Sequence, residues 1–301
     1  MRPLLCCKRL LEPSHSPTSA PPARSLEGRV ALVTGAGRGM GRSHALTLAR
    51  HGAQLVVCDV GGAPDGVPAD PDAPSDDLRE TARQVEALGR ACLPLRADVR
   101  DLDALERVVA ATRERFGQLD VLVANAGVVR AAPLLELTEQ AWRETLDVDL
   151  TGVFLSIKAV APAMVAQRRG RIVVIGSVSG RIGQPRLAAY NAAKWGVIGL
   201  AKSAAIELAP HGVTVNVVCP GTIDTPLIHH PGAPREFMPD AQDPTMEDLR
   251  ALLASWNPMG VPWIPPEDVS AAVAFLAGDD ARHITGTTLD VAAGWNAHYT
   301  A

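Results

Sequence analysis

The chain has 301 residues, 47% of them hydrophobic and 21% charged, with a formal net charge of −4. That balance suits one globular domain with a large core, two at most, and gives no electrostatic reason to expect nucleic acid as a partner. No apolar run approaches the ~20 residues that cross a membrane, so no membrane partner is expected.

Met1 to Ser25 stand apart as a basic, Pro/Ser/Ala-rich stretch with one acidic residue, Glu12. They are expected to form a disordered extension; a transit-type leader or an upstream start are the other readings. From residue 26 to the end, strand and helix patterns alternate. Val30 to Val33 is an apolar strand, followed by the turn Gly35 to Gly41 and a helix through His51. Gln54 to Cys58 is the next strand, ending at Asp59. Leu78 to Leu88 reads as helix, Ala91 to Arg96 as strand and Leu102 to Phe116 as helix. Leu119 to Ala124 is a strand, and Thr138 to Gln167 a long helix. The strand Arg171 to Gly176, the helix Leu187 to Leu208 and the strand Thr214 to Val218 follow. An irregular Pro-rich region then leads to a helix over Pro266 to Leu276 and a last strand, Thr288 to Val291. Apolar strands without alternation, separated by helices, predict an α/β fold: one doubly wound Rossmann-type domain with a seven-stranded parallel sheet and helices on both faces.

Five cysteines (Cys6, Cys7, Cys58, Cys92, Cys219) form no CxxC pair or metal-ligand spacing. Buried thiols in a reducing cytoplasm and no metal site are expected.

Two segments carry chemistry. Thr34-Gly35-Ala36-Gly37-Arg38-Gly39-Met40-Gly41 sits where the first strand meets the first helix. Its glycines permit positive φ and let backbone N–H groups approach a pyrophosphate at the helix N-terminus. Asp59, closing the second strand, can accept bonds from an adenosine ribose and repel a 2′-phosphate. Arg38 favours a 2′-phosphate, but the carboxylate would face that phosphate directly, so NAD is the expected cofactor. The second segment holds Tyr190 and Lys194 four residues apart, with Ser177 thirteen residues before the tyrosine. On a helix, i and i+4 share a face, so the ammonium lies beside the phenol. Two unit charges ~4–5 Å apart at an effective dielectric of ~20 interact by roughly 3–4 kcal/mol, which would draw the phenol down toward neutral pH. The chain has two tyrosines and only four lysines against twenty-five arginines, so this pairing is not a product of composition.

These residues together resemble the short-chain dehydrogenase/reductase family from about Gly28 to Gly294. The motifs that carry the likeness, in order, are the Gly-rich segment, Asp98-Val99, Asn125-Ala126-Gly127, the Ser/Tyr/Lys set and Pro220-Gly221. The resemblance implies that Gly35, Arg38, Gly39, Met40, Gly41 and Asp59 hold NAD, with Asp98 and Val99 at the adenine. It implies that Asn125 and Gly127 line the cofactor cleft, and that Pro220, Gly221 and Thr225 frame the nicotinamide. Tyr190 would exchange the substrate proton. Lys194 would assist it and hold the nicotinamide ribose, and Ser177 would orient the substrate oxygen. It also implies a homotetramer with the long helices at its interfaces.

One position departs from the family pattern. Asp149-Leu150-Thr151-Gly152 stands where the family places Asn-Leu-x-Gly, whose Asn helps carry a proton relay. Asp149 is expected to keep the relay working; a simple pairing with Lys194 is the other reading. A second feature is the insertion at residues 60–77, rich in Gly, Pro and Asp, directly after the ribose carboxylate. With the C-terminal His283-Ile284-Thr285-Gly286 through Trp295-Asn296, it resembles the mycofactocin-coupled branch of the family. That likeness implies NAD held without exchange and mycofactocin as electron acceptor. The insertion would cover the adenosine. Residues 222–265, with His229, His230, Phe237, Met238, Met246, Trp256, Met259 and Trp263, are expected to form a lid over a hydrophobic secondary alcohol or ketone. His229-His230 has no third ligand and is read as solvent-facing. An ordinary dehydrogenase with freely exchanging NAD(H) and a non-catalytic nucleotide-binding scaffold are the rival readings.

Overall fold

The structure is a computed structural model, and it describes residues 25–61 and 75–298. Strands β1 (Val30–Thr34), β2 (Gln54–Asp59), β3 (Cys92–Arg96), β4 (Val121–Ala124), β5 (Gly170–Ile175), β6 (Val213–Pro220) and β7 (Thr288–Val291) form one parallel sheet. Its order is β3-β2-β1-β4-β5-β6-β7, with every pairing parallel. The order reverses between β1 and β4, and at such a switch point a crevice opens beyond the carboxyl ends of the strands. Every residue of β1, β4, β5 and β6 is buried, which explains why these strands read as continuous apolar runs.

Helices α1 (Gly39–Arg50), α2 (Asp76–Ala87) and α9 (Pro266–Ala277) cover one face around Leu48, Leu55, Val123 and Val273. The other face carries α3 (Leu102–Phe116), α5 (Gly152–Gln167) and α6 (Ala188–Leu208) around Leu105, Leu122, Val160 and Val197. Local chemistry sets the ends. The Asp101 carboxylate caps α3 by accepting from Ala104 N–H at 3.1 Å, and Gly117 closes it at φ +79°.

The long helix is not uniform. Glu139–Leu146 (α4) and α5 are joined by a π-helical turn, Asp147–Thr151, in which Gly152 N–H donates to the Asp147 carbonyl five residues back. An extra residue is thereby absorbed without breaking the helix, a device common at functional sites. The stretch 139–167 is also long and apolar enough to cross a membrane, which corrects the expectation that no run approaches that length. Half of its apolar window is buried inside the fold, as a helix packed on the sheet requires.

The region after β6 is more ordered than its prolines suggest. It contains α7 (Ala233–Phe237) and α8 (Met246–Trp256), the latter started by a capping box of Thr245 and Asp248. Ile228, Ala233, Leu249 and Leu253 form a small satellite core there, with Met238, Met246, Trp256 and Trp263 against it. Trp256 stacks on Trp295 with centroids 5.5 Å apart and planes at 30°, tying α8 to the C-terminal segment. The expected extension at residues 1–25 and the body of the 60–77 insertion lie outside the described residues, apart from their edges. Those edges are informative. Ser75 caps α2, and Gly61 lies so close to it that an added Cβ would stand 3.2 Å from the Ser75 Cβ. The insertion thus leaves and returns at nearly one point.

Candidate active site

A cleft of about 550 Å³ opens at the β1/β4 switch point. Its wall includes Gly35, Arg38, Gly39, Met40, Gly41, Asp59, Asp98, Val99, Asn125, Gly127 and Thr225, eleven residues singled out from the sequence. Close backbone packing explains two of the glycines. A Cβ on Gly41 would fall 2.1 Å from the Gly35 carbonyl oxygen, and one on Gly35 (φ +64°) would fall 2.7 Å from Ala126 Cα. Gly39, at φ +55°, faces Thr225 across the cleft, with space that a Cβ would fill at 3.7 Å from the threonine methyl. Arg38 is exposed in an extended N-cap conformation and makes no side-chain cap bond.

Asp59 is held by this loop. Its Oδ2 accepts from Gly37 N–H at 2.9 Å, while Oδ1 takes only a long bond, 3.4 Å, from Gly61 N–H. Asn125 donates through Nδ2 to the carbonyls of Thr34 (3.0 Å) and Gly35 (3.2 Å), and its buried Oδ1 finds no donor among the described residues. A glycine cradle at a helix N-terminus, a carboxylate with acceptor capacity to spare and an orphaned amide oxygen fit a dinucleotide such as NAD.

The catalytic candidates gather beside this cleft, at the carboxyl end of β5 and on α6; none of Ser177, Tyr190, Lys194, Pro220 and Gly221 forms part of the cavity wall. Ser177 is buried, its Oγ accepts from Ser179 N–H at 3.1 Å, and its hydroxyl bears on the Tyr190 phenol. Lys194 Nζ lies 5.4 Å from the Tyr190 ring centroid and donates to the Ile175 carbonyl at 3.2 Å. On the far side Asp149, wholly buried, places Oδ2 3.3 Å from that ammonium, while its Oδ1 accepts from Val128 N–H at 2.7 Å. The π turn delivers Asp149 here, and Gly127 makes room: its Cβ would stand 3.3 Å from Asp149 Oδ2. Pro220 ends β6, and Gly221 N–H donates to Val291 at 2.9 Å.

The electrostatics correct one expectation. Burial pushes the Tyr190 phenol above its ordinary value; Lys194 pulls it down, but Asp149 pushes it up again. The sequence set the lysine beside the phenol, with a pairing to Asp149 as one reading, and gave no sign that burial would outweigh the lysine's pull. Burial alone would lower Lys194, yet Asp149 and the Tyr190 oxygen hold it above its usual value. Burial also raises the Asp149 carboxyl, against the pull of Lys194 and Val128 N–H.

Sequence reasoning did not find several wall residues: Arg100, which pairs with Asp98 at 2.5 Å, Glu144 and Val148 from the long helix, and Leu227 from the segment after Thr225; His230, read as solvent-facing, also lines the cleft. Glu144 and Val148 stand four apart and share a face of the long helix; no motif marks them or the rest. His229, read as solvent-facing, is part-exposed but bonded, its Nε2 2.5 Å from Asp224 Oδ1 and its ring edge-on to Trp263. Among the described residues no group of three or more potential ligands could hold a metal.

Comparison with known proteins bears on the same residues. The sequence pattern of the family described as short chain dehydrogenase matches residues 29–233. The chain is 42% identical over 274 residues to a (−)-trans-carveol dehydrogenase of Rhodococcus erythropolis, covering 89% of this chain and 98% of that one. It is 40% identical over 270 residues to a cis-4-hydroxycyclohexanecarboxylate dehydrogenase of Sinomonas cyclohexanicum, covering 89% and 97%. Among solved structures, a carveol dehydrogenase from Mycobacterium avium in complex with NAD superposes with a TM-score of 0.84 at 38% identity, covering 90% of this chain and 98% of that one.

Proposed function

The chain belongs to the short-chain dehydrogenase family and is an NAD-dependent oxidoreductase acting on CH–OH groups, and from that premise we propose that its substrate is a hydrophobic cyclic secondary alcohol or the matching ketone. The observation that carries the reading is the Ser177–Tyr190–Lys194 cluster standing beside a cleft whose glycine cradle and Asp59 fit NAD. Bound NAD supplies the nicotinamide that takes or gives the hydride. Tyr190 exchanges the proton with the substrate oxygen, accepting it from the alcohol as phenolate and donating it to the ketone as phenol. Ser177 Oγ holds that oxygen, and Lys194 with Asp149 links the phenol to solvent. Residues 222–265 close over the substrate, with Met238, Trp256 and Trp263 as its apolar lining.

The finer reading is that NAD stays bound through many turnovers and that mycofactocin takes the electrons. Support comes from the insertion at residues 60–77, whose base is tied to the ribose carboxylate through Gly61 N–H and to α1 through Arg42 Nη2, 2.9 Å from the Asp77 carbonyl. A cap rooted on the ribose-binding residue slows release. A homotetramer is supported by exposed apolar side chains on α4–α6, Phe154, Trp195 and Ile206 among them. A reducing cytoplasm is supported by the free thiols of Cys58, Cys92 and Cys219, the first two pushed up to about 12 by burial.

The test is turnover of cyclic secondary alcohols by purified protein and its Tyr190→Phe variant. The variant should lose ~10²–10⁴-fold in rate and keep its NAD affinity. An unaffected rate would remove Tyr190 from the chemistry. NAD that co-purifies, with turnover through an artificial acceptor but not through added NAD, is the expected result for retention; steady turnover with free NAD refutes retention.

A further inference from the structure

Asp149 is a buried anion in a place where an ammonium must act on a phenol. Besides the tyrosine ring, Lys194 Nζ meets the Ile175 carbonyl at 3.2 Å and Asp149 Oδ2 at 3.3 Å. The carboxylate is therefore closer to the ammonium than the ring, whose centroid is 5.4 Å away. Both charges are sheltered from water, Lys194 at 4% side-chain exposure and Asp149 at 0%, so neither is screened by solvent. We infer that Asp149 is the counter-ion of Lys194, offsetting the lysine's field at Tyr190, so that the tyrosine rests as a neutral phenol through neutral pH and the site stands ready to give a proton rather than to take one. This rests on the reading of Tyr190 as the proton-exchanging group.

The surroundings are consistent with that charge balance. Four groups bear on the phenol: Lys194 on its own helix, Asp149 from the π turn, the Ser177 hydroxyl from the end of β5, and the Cys219 thiol on β6. Ser177 is neutral, and Cys219, pushed up to about 11 by burial, is neutral at physiological pH. Arg130 bears on Asp149 from the loop after β4 but is itself paired with Glu144 at 2.7 Å. Burial raises the Asp149 carboxyl, while Lys194 and the Val128 N–H at 2.7 Å favour its ionised form. Asp149 opposes the one cation in this set, Lys194, and burial outweighs what remains of the lysine's pull on the phenol. Donation of the Tyr190 proton to a ketone oxygen leaves a phenolate, which regains a proton from solvent; in the reverse direction the phenolate must form first. Alcohol oxidation therefore rises with pH while ketone reduction is complete in its proton inventory at neutrality.

The chain contains two tyrosines, Tyr190 and Tyr299, so phenol ionisation can be followed on the protein itself. In Tyr299→Phe protein, without substrate or NAD, the near-ultraviolet phenolate band reports Tyr190 alone. The expected midpoint lies at or above that of free tyrosine, ~10. In the Asp149→Asn, Tyr299→Phe pair the uncancelled ammonium should bring it down by about one pH unit, and the alkaline limb of alcohol oxidation should move with it. A parent midpoint clearly below 10 overturns the inference, even if the Asp149 variant fails to fold. A midpoint unmoved in a folded Asp149→Asn protein also overturns it, because Asp149 would then be a neutral hydrogen-bonding group. Failure to turn over any alcohol would sink the proposed substrate while leaving the titration result standing.

Discussion

Replacing Asp59 by Asn removes one charge and keeps the shape. The amide oxygen can still accept from Gly37 N–H, now at 2.9 Å from Oδ2, so the loop keeps its anchor. What changes is the bond offered to the adenosine ribose. Oδ1 is engaged only by the long 3.4 Å contact from Gly61, which leaves its acceptor capacity for the ligand. With the amide oxygen kept by Gly37 N–H, the ribose meets an amide N–H donor in place of an ionised acceptor; charge-assisted bonds are roughly twice as strong as neutral ones, so the change costs about 1–2 kcal/mol of NAD binding, or about 5- to 30-fold in Kd. NADP responds in the opposite sense. A 2′-phosphate placed ~4–5 Å from the carboxylate at an effective dielectric of ~20 meets roughly 3–4 kcal/mol of repulsion, reduced to about 2–3 by salt at this half-buried position. Together the NAD-to-NADP preference should fall by about 200- to 5,000-fold. The assay is isothermal titration of both dinucleotides into parent and variant, after removal of any bound NAD by denaturation and refolding. If both affinities drop equally, or the ratio stays fixed, Asp59 does not read the ribose and the cleft is occupied in another way.

Two other outcomes follow from groups outside the reaction. His44 on α1 is fully buried, bonded through Nδ1 to Ser270 Oγ at 2.7 Å, with Nε2 unpartnered, and burial pushes its pKa down to about 3. Its stability contribution is present above the unfolded value of ~6.5 and is lost as pH falls toward 3, because the unfolded chain takes up the proton; between pH 6.5 and 5 that is ~2 kcal/mol. Denaturant titrations should show this loss in the parent and not in His44→Met, and identical slopes would refute the assignment. Trp295→Ala removes the stack on Trp256, worth ~0.5–1.5 kcal/mol beyond its burial. Limited proteolysis within 222–265 should then quicken and KM for the alcohol rise, with NAD affinity unchanged; a change in kcat alone would mean the stack does not hold the lid.

The sheet was legible because its central strands are apolar on both sides. Val121 to Ala124 and Gly170 to Ile175 bury every residue, so no alternation could mislead. The cofactor residues were legible because backbone geometry demands glycine there, as the 2.1 Å approach at Gly41 makes plain. Less could be read where function depends on who comes near from elsewhere in the chain. Asp149 lies forty-five residues before Lys194; the family pattern marked it as a possible partner of the lysine, but only the fold shows the two meeting at 3.3 Å. Burial raises the phenol, and the Asp149 carboxylate brought in by that meeting adds to it. The helices α7 and α8 were hidden by the prolines around them, although the Thr245–Asp248 capping box was present in the sequence as a start signal.

The π turn at Asp147–Thr151 divides the long helix into two gears cut out of phase. A residue of an α-helix occupies about 100° of rotation, so the one surplus residue sets the outer surface of α4 and the sheet-facing surface of α5 independently of each other. Closing that turn by deleting a single residue would leave both helices formed and the sheet paired, yet swing α4 by more than a quarter of a revolution against everything downstream. Glu144 and Val148, which line the cleft from the α4 side, would leave it together. Cleft shape and sheet packing are thus joined by one adjustable coupling, and a change in the coupling would re-aim the wall without touching the core.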